Sequence, residues 1–419
     1  MKIFADLHLH SRYSRATSKD MTLENLADWA AKKGLQLVGT GDFTHPIWFS
    51  ELSSQLQEKR AGIYFIPQYQ TVNFVLSAEI SAIYSDKGKM RRIHLIVLAP
   101  SLEKAKILNQ KLAGFGNLYA DGRPVFGLSA EKLCEAIFSV DQDFVVIPAH
   151  IWTPWFSLFG SNSGYDSFFD CFGNFSEKIL AIETGLSSDP AMNWRLSQLD
   201  EKSIVSFSDS HSPINLGREA TVFDLSADFD YLELKSALHM GNNKILFTIE
   251  FFPEEGKYHY DGHRNCGVSF SPKEAKKLNF LCPKCRRPLT IGVLNRVEQL
   301  ADREAENLEI NHFIKGKAKR PGFVFAVPLI EIIADVYNQN KNSSFVKKIY
   351  DDTLSKAKEF EILLDFNEME LKQVCPKEVA EGILAVRRGE VEKIAGFDGQ
   401  YGIIKIKKTS ITETQASLF

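Results

Sequence analysis

The sequence has no long hydrophobic run, because no stretch of about 18 uncharged apolar residues occurs in its 419 residues. A membrane span is therefore not expected, and without an apolar run after Lys2 a secretion signal is not expected either. The chain also lacks the G-x-x-x-x-G-K-[ST] loop, so we expect no nucleotide cofactor. The length predicts roughly two or three domains and the composition is that of a globular protein, while the sparse cysteines suit a reducing cytoplasm.

Cysteine is scarce. The chain has six, and three of them cluster as Cys266, Cys282 and Cys285. The spacing Cys282-x-x-Cys285 lets two thiolates from one tight turn face a single ion, and His263-x-x-Cys266 repeats that spacing. These four residues predict a structural zinc site rather than a disulfide framework, with His259 competing for the place of His263.

Basic residues are slightly outnumbered overall, by 53 acidic to 50 basic side chains. Between residues 257 and 348 the balance reverses to 17 Lys and Arg against 9 Asp and Glu. Such a stretch favours a polyanionic partner, although ordinary solvated surface charge gives the same count. Arg264, Arg286 and Arg287 surround the predicted zinc site and are candidates to contact phosphates.

The first 245 residues or so alternate β-type runs with helical patterns. Strands are predicted for KIFADLHLH, LQLVGTGD, TVNFVLSAEIS, RRIHLIVLAP, FVVIPAH, KILAIET and SIVSFSDSH. A helix is predicted for LENLADWAAKK, capped by Thr22 and ended by Gly34. This alternation favours parallel βαβ units in a closed barrel, whose chemistry lies at the carboxyl ends of the strands. The carboxyl third shows mainly helical spacing and ends in a small hairpin.

Histidines and carboxylates collect at the predicted strand ends. Six of the ten histidines belong to this set, and among them His94 is unusual in lying early in its strand. The set is His8, His10, Asp42, His45, Glu79, His94, His150, Glu183, Asp209 and His211. Imidazoles mixed with carboxylates suit Zn²⁺, Mn²⁺ or Fe²⁺. A bridging carboxylate such as Glu79 allows two or three ions in one pocket, which indicates hydrolysis of a phosphate ester.

The motifs DLHLHS, GTGDFTH, AEIS, PAH and SDSH resemble the PHP family of metal-dependent phosphoesterases. The resemblance implies an α/β fold with a distorted (β/α)7 barrel and a trinuclear metal centre. It assigns the first metal to His8 and His10, the bridge to Glu79, the third metal to His94 and His150, and the closing pair to Asp209 and His211. The catalytic residues that it implies are His8, His10, Glu79, Asp209 and His211.

Two departures from the family pattern leave ligands open. Gly41-Asp42-Phe43 stands where the family commonly has Thr-Asp-His, so Asp42 and His45 are both candidates for the missing ligand. The family often has another histidine shortly after the opening pair, whereas this chain has Tyr13, Ser14, Arg15 and Ala16 there, so the second metal would be held more weakly. Glu183 is a candidate to orient a ligand or to act as a base.

The longer stretches HSRYSRATSKDMT, GTGDFTHP, KYHYDGHRNC, LCPKC and RPLTIGVLNRVEQLADR resemble the endonuclease Q family over nearly the whole chain. The resemblance implies a nucleoid-associated DNA-repair enzyme that cuts on the 5′ side of hypoxanthine, uracil, xanthine or an abasic site. It also implies two or three divalent ions, Zn²⁺, Mn²⁺ or Mg²⁺. We expect the barrel over 1–248, a zinc-knuckle domain over 249–295, a helical DNA-binding domain over 296–408 and a flexible tail over 409–419.

Candidate DNA contacts come from the opening motif, the aromatic segment after His150, the zinc site and a basic loop at 316–322. They are Arg15, Trp152, Trp155, Phe156, Arg264, Arg286, Arg287, Lys317, Lys319 and Arg320. The aromatic candidates would stack on or wedge beside an extruded base, and core packing explains them equally well.

The last residues, QASLF, resemble the peptide that binds the bacterial DNA sliding clamp. Gln415 would set the register, and Leu418 and Phe419 would be apolar anchors; a frayed chain end is the alternative. Two other functions stay open for the whole chain. One is a small-molecule phosphatase of the histidinol phosphate type, and the other is a non-catalytic clamp-bound adaptor.

Overall fold

The computed structural model describes residues 1–306, 308, 312–316 and 319–407, and within them a mixed α/β fold surrounds a central sheet of eleven strands. The strands are β1 Lys2–Asp6, β2 Leu37–Gly39, β3 Gln57–Arg60, β4 Ile63–Phe65, β5 Asn73–Asp86, β6 Lys89–Ala99, β7 Val125–Phe126, β8 Val145–Pro148, β9 Ala181–Glu183, β10 Ser203–Val205, β11 Ala220–Asp224, β12 Ile245–Glu250, β13 Asp261–His263, β14 Val268–Phe270, β15 Gly322–Phe325, β16 Val391–Ile394 and β17 Ile403–Ile406. The α-helices are α1 Leu23–Lys33, α2 Pro46–Gln55, α3 Leu102–Leu112, α4 Ala130–Phe138, α5 Phe168–Phe172, α6 Pro190–Asn193, α7 Tyr231–Ala237, α8 Pro272–Lys277, α9 Val293–Leu300, α10 Leu329–Val336, α11 Ser344–Leu354, α12 Glu368–Val374 and α13 Lys377–Arg387.

The central sheet is mixed rather than parallel. Strand β2 pairs in parallel with β1 and β5, as βαβ units require. Strand β6 instead pairs antiparallel with both β5 and β8, and β11 pairs antiparallel with β1. The expectation of parallel units is therefore wrong for these strands. The physical reason for the first of them is local: Lys87 and Gly88 both have positive φ, 49° and 77°, so they form a tight hairpin turn that leaves no room for a crossover helix.

The first helix forms as the sequence predicts. The side chain of Thr22 accepts a hydrogen bond from the backbone N–H of Asn25, which satisfies one of the free donors at the start of α1. Gly34 ends the helix in the left-handed conformation, with φ 90°. Helix α1 then buries Leu26, Ala27 and neighbouring apolar residues against the sheet, so the chain enters β2 beside β1.

The carboxyl third packs directly on the sheet. Strand β15 lies parallel to β12 and extends the sheet at its edge. Further contact comes from the rings of Phe4 and Phe360, whose centroids are 5.1 Å apart, and from a buried ion pair of Lys33 with Glu359 at 2.8 Å. The expected terminal hairpin is present as antiparallel β16 and β17. No helix in the described part of the chain is both long and apolar enough to cross a membrane.

Candidate metal centre

The motif that contains His8 and His10 lies beside the motif that contains Asp209 and His211, because the two backbone segments are hydrogen-bonded to each other. After β1 the backbone continues to His10, whose N–H donates to the carbonyl of Ser210 at 2.9 Å. Leu9 and Ser210 form a parallel bridge there. His8, His10 and Asp209 consequently offer ligand atoms that all lie within 4.8 Å of one another.

The antiparallel hairpin of β5 and β6 explains why His94 lies early in its strand. Its register sets His94 opposite Ser81 and Glu79 opposite Ile96, so Glu79 and His94 are diagonal neighbours on one face. Because β6 runs backwards, its beginning lies at the carboxyl end of β5. Strand β8, paired with β6, then delivers His150, and Glu79, His94 and His150 form a second group of converging ligand atoms.

Glu79 lies between the two groups. Its Oε1 is 2.6 Å from His94 Nδ1, 3.2 Å from His150 Nε2 and 3.6 Å from His8 Nε2. Its Oε2 is 3.3 Å from His10 Nε2. One fully buried carboxylate thus faces four imidazoles, an arrangement suited to a carboxylate that bridges cations.

The opening histidines present unpartnered nitrogens to this centre. His8 Nδ1 is 2.9 Å from Glu183 Oε1, and His10 Nδ1 is 3.0 Å from Asp42 Oδ1. Among the residues that the structure describes, the buried Nε2 atoms of both rings have no hydrogen-bond partner, and neither has Asp209 Oδ1. Carboxylates that hold Nδ1–H leave Nε2 as a lone-pair donor, which is the usual arrangement around a bound metal. The residues present therefore fit a metal centre.

Burial and charge act in opposite directions on the imidazoles. Burial disfavours the charged form of His8 and His10, but the carboxylates of Glu183 and Asp42 raise the pKa of each ring well above its ordinary value. Burial prevails at His94 and lowers its pKa to about 4. His94 is thus neutral near pH 7, the form in which an imidazole binds a metal.

Three residues of the centre adopt a left-handed backbone. Asp42, His150 and Asp209 have φ of 46°, 32° and 46°. Such conformations are costly for residues other than glycine and collect at functional sites. His150 and Asp209 contribute ligand atoms to the two converging groups, whereas Asp42 lies behind His10.

Asp42 and His45 have different surroundings. Asp42 accepts from His10 and from the backbone N–H of Ser11, so it lies behind the histidine. His45 instead caps α2 through Nδ1 and stacks on Tyr13 with the ring centroids 4.5 Å apart. The structure does not bring His45 into either group of converging ligand atoms.

His211 stands at the edge of the centre. Its ring centroid is 4.5 Å from that of His10, and its Nδ1 lies 2.9 Å from the carbonyl oxygen of Asp209. About a third of its side chain is exposed, so it faces the adjoining cleft.

This cleft has a volume of about 1030 Å³, and His94, His150, Asp209 and His211 line it. Of the aromatic candidates, Trp155 and Phe156 line the cleft, and Arg15 lies at its wall. Trp152 is fully buried and donates to Asn193, so it belongs to the core.

Sequence reasoning missed Arg123, which lies in a segment between two helices that has no motif of its own. The guanidinium lines the cleft and donates from Nη1 to Glu79 Oε2 at 2.9 Å. It also missed Tyr258, whose ring is 5.5 Å from that of Trp155. Arg123 contacts Glu79 and Tyr258 contacts Trp155, and both partners are distant in sequence. The sequence shows only a charged or an aromatic side chain in a loop at each position.

The predicted zinc ligands converge as a separate group. His263, Cys266, Cys282 and Cys285 place their ligand atoms within 4.8 Å of one another, and His263 Nδ1 is 3.3 Å from Cys285 Sγ. Although desolvation acts in the opposite direction, the backbone N–H groups of Cys285 and Lys284 lower the pKa of Cys282 to about 6. His259 lies outside this group and is buried.

The basic candidates differ in exposure. Arg264, Arg286, Arg287 and Lys319 are exposed, whereas Arg320 donates to Asp200 at 2.7 Å. Lys317 and the clamp-type residues Gln415, Leu418 and Phe419 lie outside the described residues.

Comparison with known proteins gives matches over different shares of the chain. A family model described as the MJ0043 C-terminal domain matches residues 328–390. MJ0043 of Methanocaldococcus jannaschii is 30% identical over 318 residues, which are 74% of this chain but only 37% of that uncharacterized protein. The uncharacterized protein YqxK of Bacillus subtilis is 30% identical over 429 residues, which cover 96% of this chain and 99% of that protein.

Two solved structures match as well. The lesion-specific endonuclease PfuEndoQ from Pyrococcus furiosus is 31% identical, with a TM-score of 0.84 and full coverage of both chains. The chain belongs to the endonuclease Q family. A second endonuclease Q, in complex with a 27-mer duplex substrate that carries an abasic lesion at the active site, is 32% identical with a TM-score of 0.85 over 97% of both chains. As an endonuclease Q, the chain is a metal-dependent endonuclease, in agreement with its two groups of converging ligands.

Proposed function

We propose that this chain is a DNA-repair endonuclease that hydrolyses the phosphodiester on the 5′ side of hypoxanthine, uracil, xanthine or an abasic site. The observation that carries the proposal is the position of Glu79, between four imidazoles in a centre that opens into a cleft of about 1030 Å³. Membership of the endonuclease Q family and the relative bound to abasic duplex DNA support this class of substrate.

The donor sets define the metal positions that we propose. His8, His10 and Asp209 would hold one divalent ion, and His94 and His150 another, with Glu79 shared between them. His211 and Asp209 are the candidates for a third position. Such ions, Zn²⁺, Mn²⁺ or Mg²⁺, supply an activated water and neutralise charge on the leaving oxygen.

The chain itself orients these ligands. Glu183 and Asp42 hold the Nδ1–H groups of His8 and His10, so that both Nε2 atoms stay directed at the centre. Hydrolysis adds water across the P–O3′ bond, which leaves a 3′-hydroxyl and a 5′-phosphate. The reaction requires neither an oxidant nor a nucleotide cofactor.

A small aromatic recess beside the centre is proposed to take the lesion base. It has a volume of about 280 Å³ and is lined by Arg92, Thr153, Trp155, Phe156 and Tyr258. Phe156 lies 4.8 Å from His94, ring centroid to centroid, so a base in the recess would be next to the metal centre. An enzyme that inspects a base takes it out of the stack, and a weakly paired base leaves most easily.

The remaining parts have supporting roles in the proposal. We propose a PHP-type distorted barrel over 1–248, a zinc-knuckle domain over 249–295 and a helical DNA-binding domain over 296–408. Zinc on the four Cys and His ligands would hold the knuckle together. Exposed Arg264, Arg286, Arg287 and Lys319 are available to phosphates, and the tail over 409–419 would recruit the enzyme to the sliding clamp.

The test is incubation of the purified chain with a duplex that carries one inosine, uracil or abasic site, in Mn²⁺ or Mg²⁺, read on a sequencing gel. We expect a single cut on the 5′ side of the lesion, no cut in the intact duplex and no cut by Asp209→Ala. Turnover of a chromogenic phosphate monoester without cutting of the duplex would instead support the small-molecule phosphatase. One zinc per chain and no cutting would support the adaptor.

A further inference from the structure

Arg123 lies in a segment whose backbone is firmly anchored to the metal centre. The N–H of Gly122 donates to the carbonyl of Tyr13 at 3.0 Å, and the N–H of Ser81 donates to the carbonyl of Pro124 at 2.9 Å. Strand β7 then continues parallel to β5. The backbone is therefore fixed by hydrogen bonds at the residues just before and just after Arg123, and these bonds keep Arg123 beside Glu79.

Gly122 is required for this close approach. A Cβ at its position would lie 2.4 Å from Asp42 Oδ2 and 2.4 Å from Ser14 Oγ. Both atoms belong to the network that orients His10, through the contacts of Asp42 and Ser14 with its Nδ1. The segment that carries Arg123 is thus packed directly against the residues behind a proposed metal ligand.

The guanidinium of Arg123 is only partly used by the protein. Within the described residues its side chain makes one hydrogen bond, from Nη1 to Glu79 Oε2 at 2.9 Å. A guanidinium carries five N–H donors, and 26% of this side chain is exposed where it lines the cleft together with His94, His150 and Asp209. Several donors consequently remain for a ligand in the cleft.

Building on the proposed function, we propose that Arg123 is a catalytic residue that binds a non-bridging oxygen of the scissile phosphate. Glu79 is the carboxylate that would be shared between the proposed ions; with ions bound, its hold on the guanidinium would weaken and the fork of donors would be free to turn to the phosphate, whose geometry it matches. In the reaction the water oxygen bonds phosphorus, the P–O3′ bond breaks, and O3′ keeps the electron pair and gains a proton. Arg123 keeps its own proton and stabilises the charge that builds on the phosphoryl oxygens.

The alternative is that Arg123 has a purely structural role and only holds Glu79 in place. Its loss would then reduce the amount of bound metal, whereas loss of a catalytic residue would not. Arg123→Ala, Arg123→Lys and wild type are compared for bound metal by mass spectrometry and for the single-turnover rate at saturating lesion duplex. We expect Arg123→Ala to keep its metals and to lose about 10²- to 10³-fold in rate. Added guanidinium ion should restore that rate at least about ten-fold, and Arg123→Lys should recover only a part of it, because an ammonium is not a planar fork.

Arg12→Ala is the matched control, because it removes an arginine–glutamate pair of 2.7 Å, with Glu51, at a residue that does not line the cleft. We expect its rate to stay within about two-fold of wild type and to be unaffected by guanidinium. Loss of metal together with rate in Arg123→Ala, or no rescue by guanidinium, would overturn the catalytic role. A wild-type rate in Arg123→Ala would overturn it while the proposed function stands, whereas a wild-type chain that does not cut lesion DNA overturns both.

Discussion

At the scale of single residues, the centre depends on carboxylates that do not themselves face it. Glu183 is fully buried and contacts His8 Nδ1 through one oxygen and the backbone N–H of His150 through the other, at 2.7 Å. One carboxylate thereby sets the orientation of a ligand in each of the two groups. Asp42 has the same relation to His10.

Glu183→Gln should weaken metal binding about 10- to 100-fold, because the amide no longer favours the tautomer that directs His8 Nε2 to the centre. Metal titration against a competing chelator measures this change. Glu103→Gln, at an exposed carboxylate of α3, is the control and should bind as wild type does. Unchanged affinity in Glu183→Gln would mean that the orientation of His8 does not depend on this carboxylate.

Glu250 is a buried carboxyl outside the centre. It accepts from the hydroxyls of Thr184, at 3.0 Å, and Ser206, at 3.1 Å, yet burial raises its pKa to about 8. The folded chain therefore holds a proton that the unfolded chain releases near the ordinary value of 4.5. The stability from this proton is complete below pH 4.5 and is lost as the pH rises through about 8.

We expect Glu250→Gln to remove this loss. Relative to wild type, the variant should gain on the order of 4 kcal/mol of unfolding free energy between pH 5 and about pH 9, since its amide does not ionise. Urea unfolding at several pH values measures the difference. A difference between variant and wild type that stays constant with pH would show that Glu250 does not titrate in this range.

At the scale of elements, the hairpin of β5 and β6 and the loop after β8 together build one wall of the cleft. The hairpin presents His94 to the cleft, while the loop presents Trp155 and Phe156. Phe156 has a φ of 65°, and its backbone N–H donates to Ser163 Oγ at 3.2 Å. The conformation of this loop is therefore defined by its own hydrogen bonds.

Trp155→Ala should weaken binding of lesion duplex about 5- to 100-fold, because base–aromatic stacking contributes roughly 1–3 kcal/mol per base. Binding of intact duplex should change far less, since no base leaves its stack. Fluorescence anisotropy in Ca²⁺ measures both affinities. Phe169→Ala, an exposed aromatic outside the cleft, is the control, and equal losses on both duplexes would remove the recess from the proposal.

At the scale of the whole molecule, the carboxyl third is tied to the rest at several places. Glu359 pairs with Lys33 and accepts from Tyr350, all of it buried. Asp398 accepts from the backbone N–H of Arg264 and from Thr290, both at 2.6 Å, which joins the terminal hairpin to the zinc-ligand region. The regions that we propose as domains therefore share extensive contacts.

The tail prediction also belongs to the whole molecule, because it concerns a partner. Replacing Leu418 and Phe419 by alanine should abolish binding to a bacterial sliding clamp in a surface-binding assay, since both apolar anchors are lost. Ser417→Ala, in the same tail, is the control and should bind as wild type does. Clamp binding that survives the loss of both anchors would place the contact elsewhere on the chain.

Short motifs sufficed to locate several side chains that converge in the structure. His8-x-His10 and Cys282-x-x-Cys285 carry their spacing within a few residues, and each pair belongs to one group of converging side-chain atoms. The helix α1, from its cap at Thr22 to Gly34, was predictable for the same reason.

Contacts between distant segments were settled only by folding. The antiparallel register places His94 beside Glu79, the segment before β7 carries Arg123 to the same carboxylate, and Trp152 packs inside while Trp155 faces the cleft. None of these outcomes follows from local spacing. Strand order and packing bring such residues together, and the free energy that selects the order comes from burying the whole core rather than from any one motif.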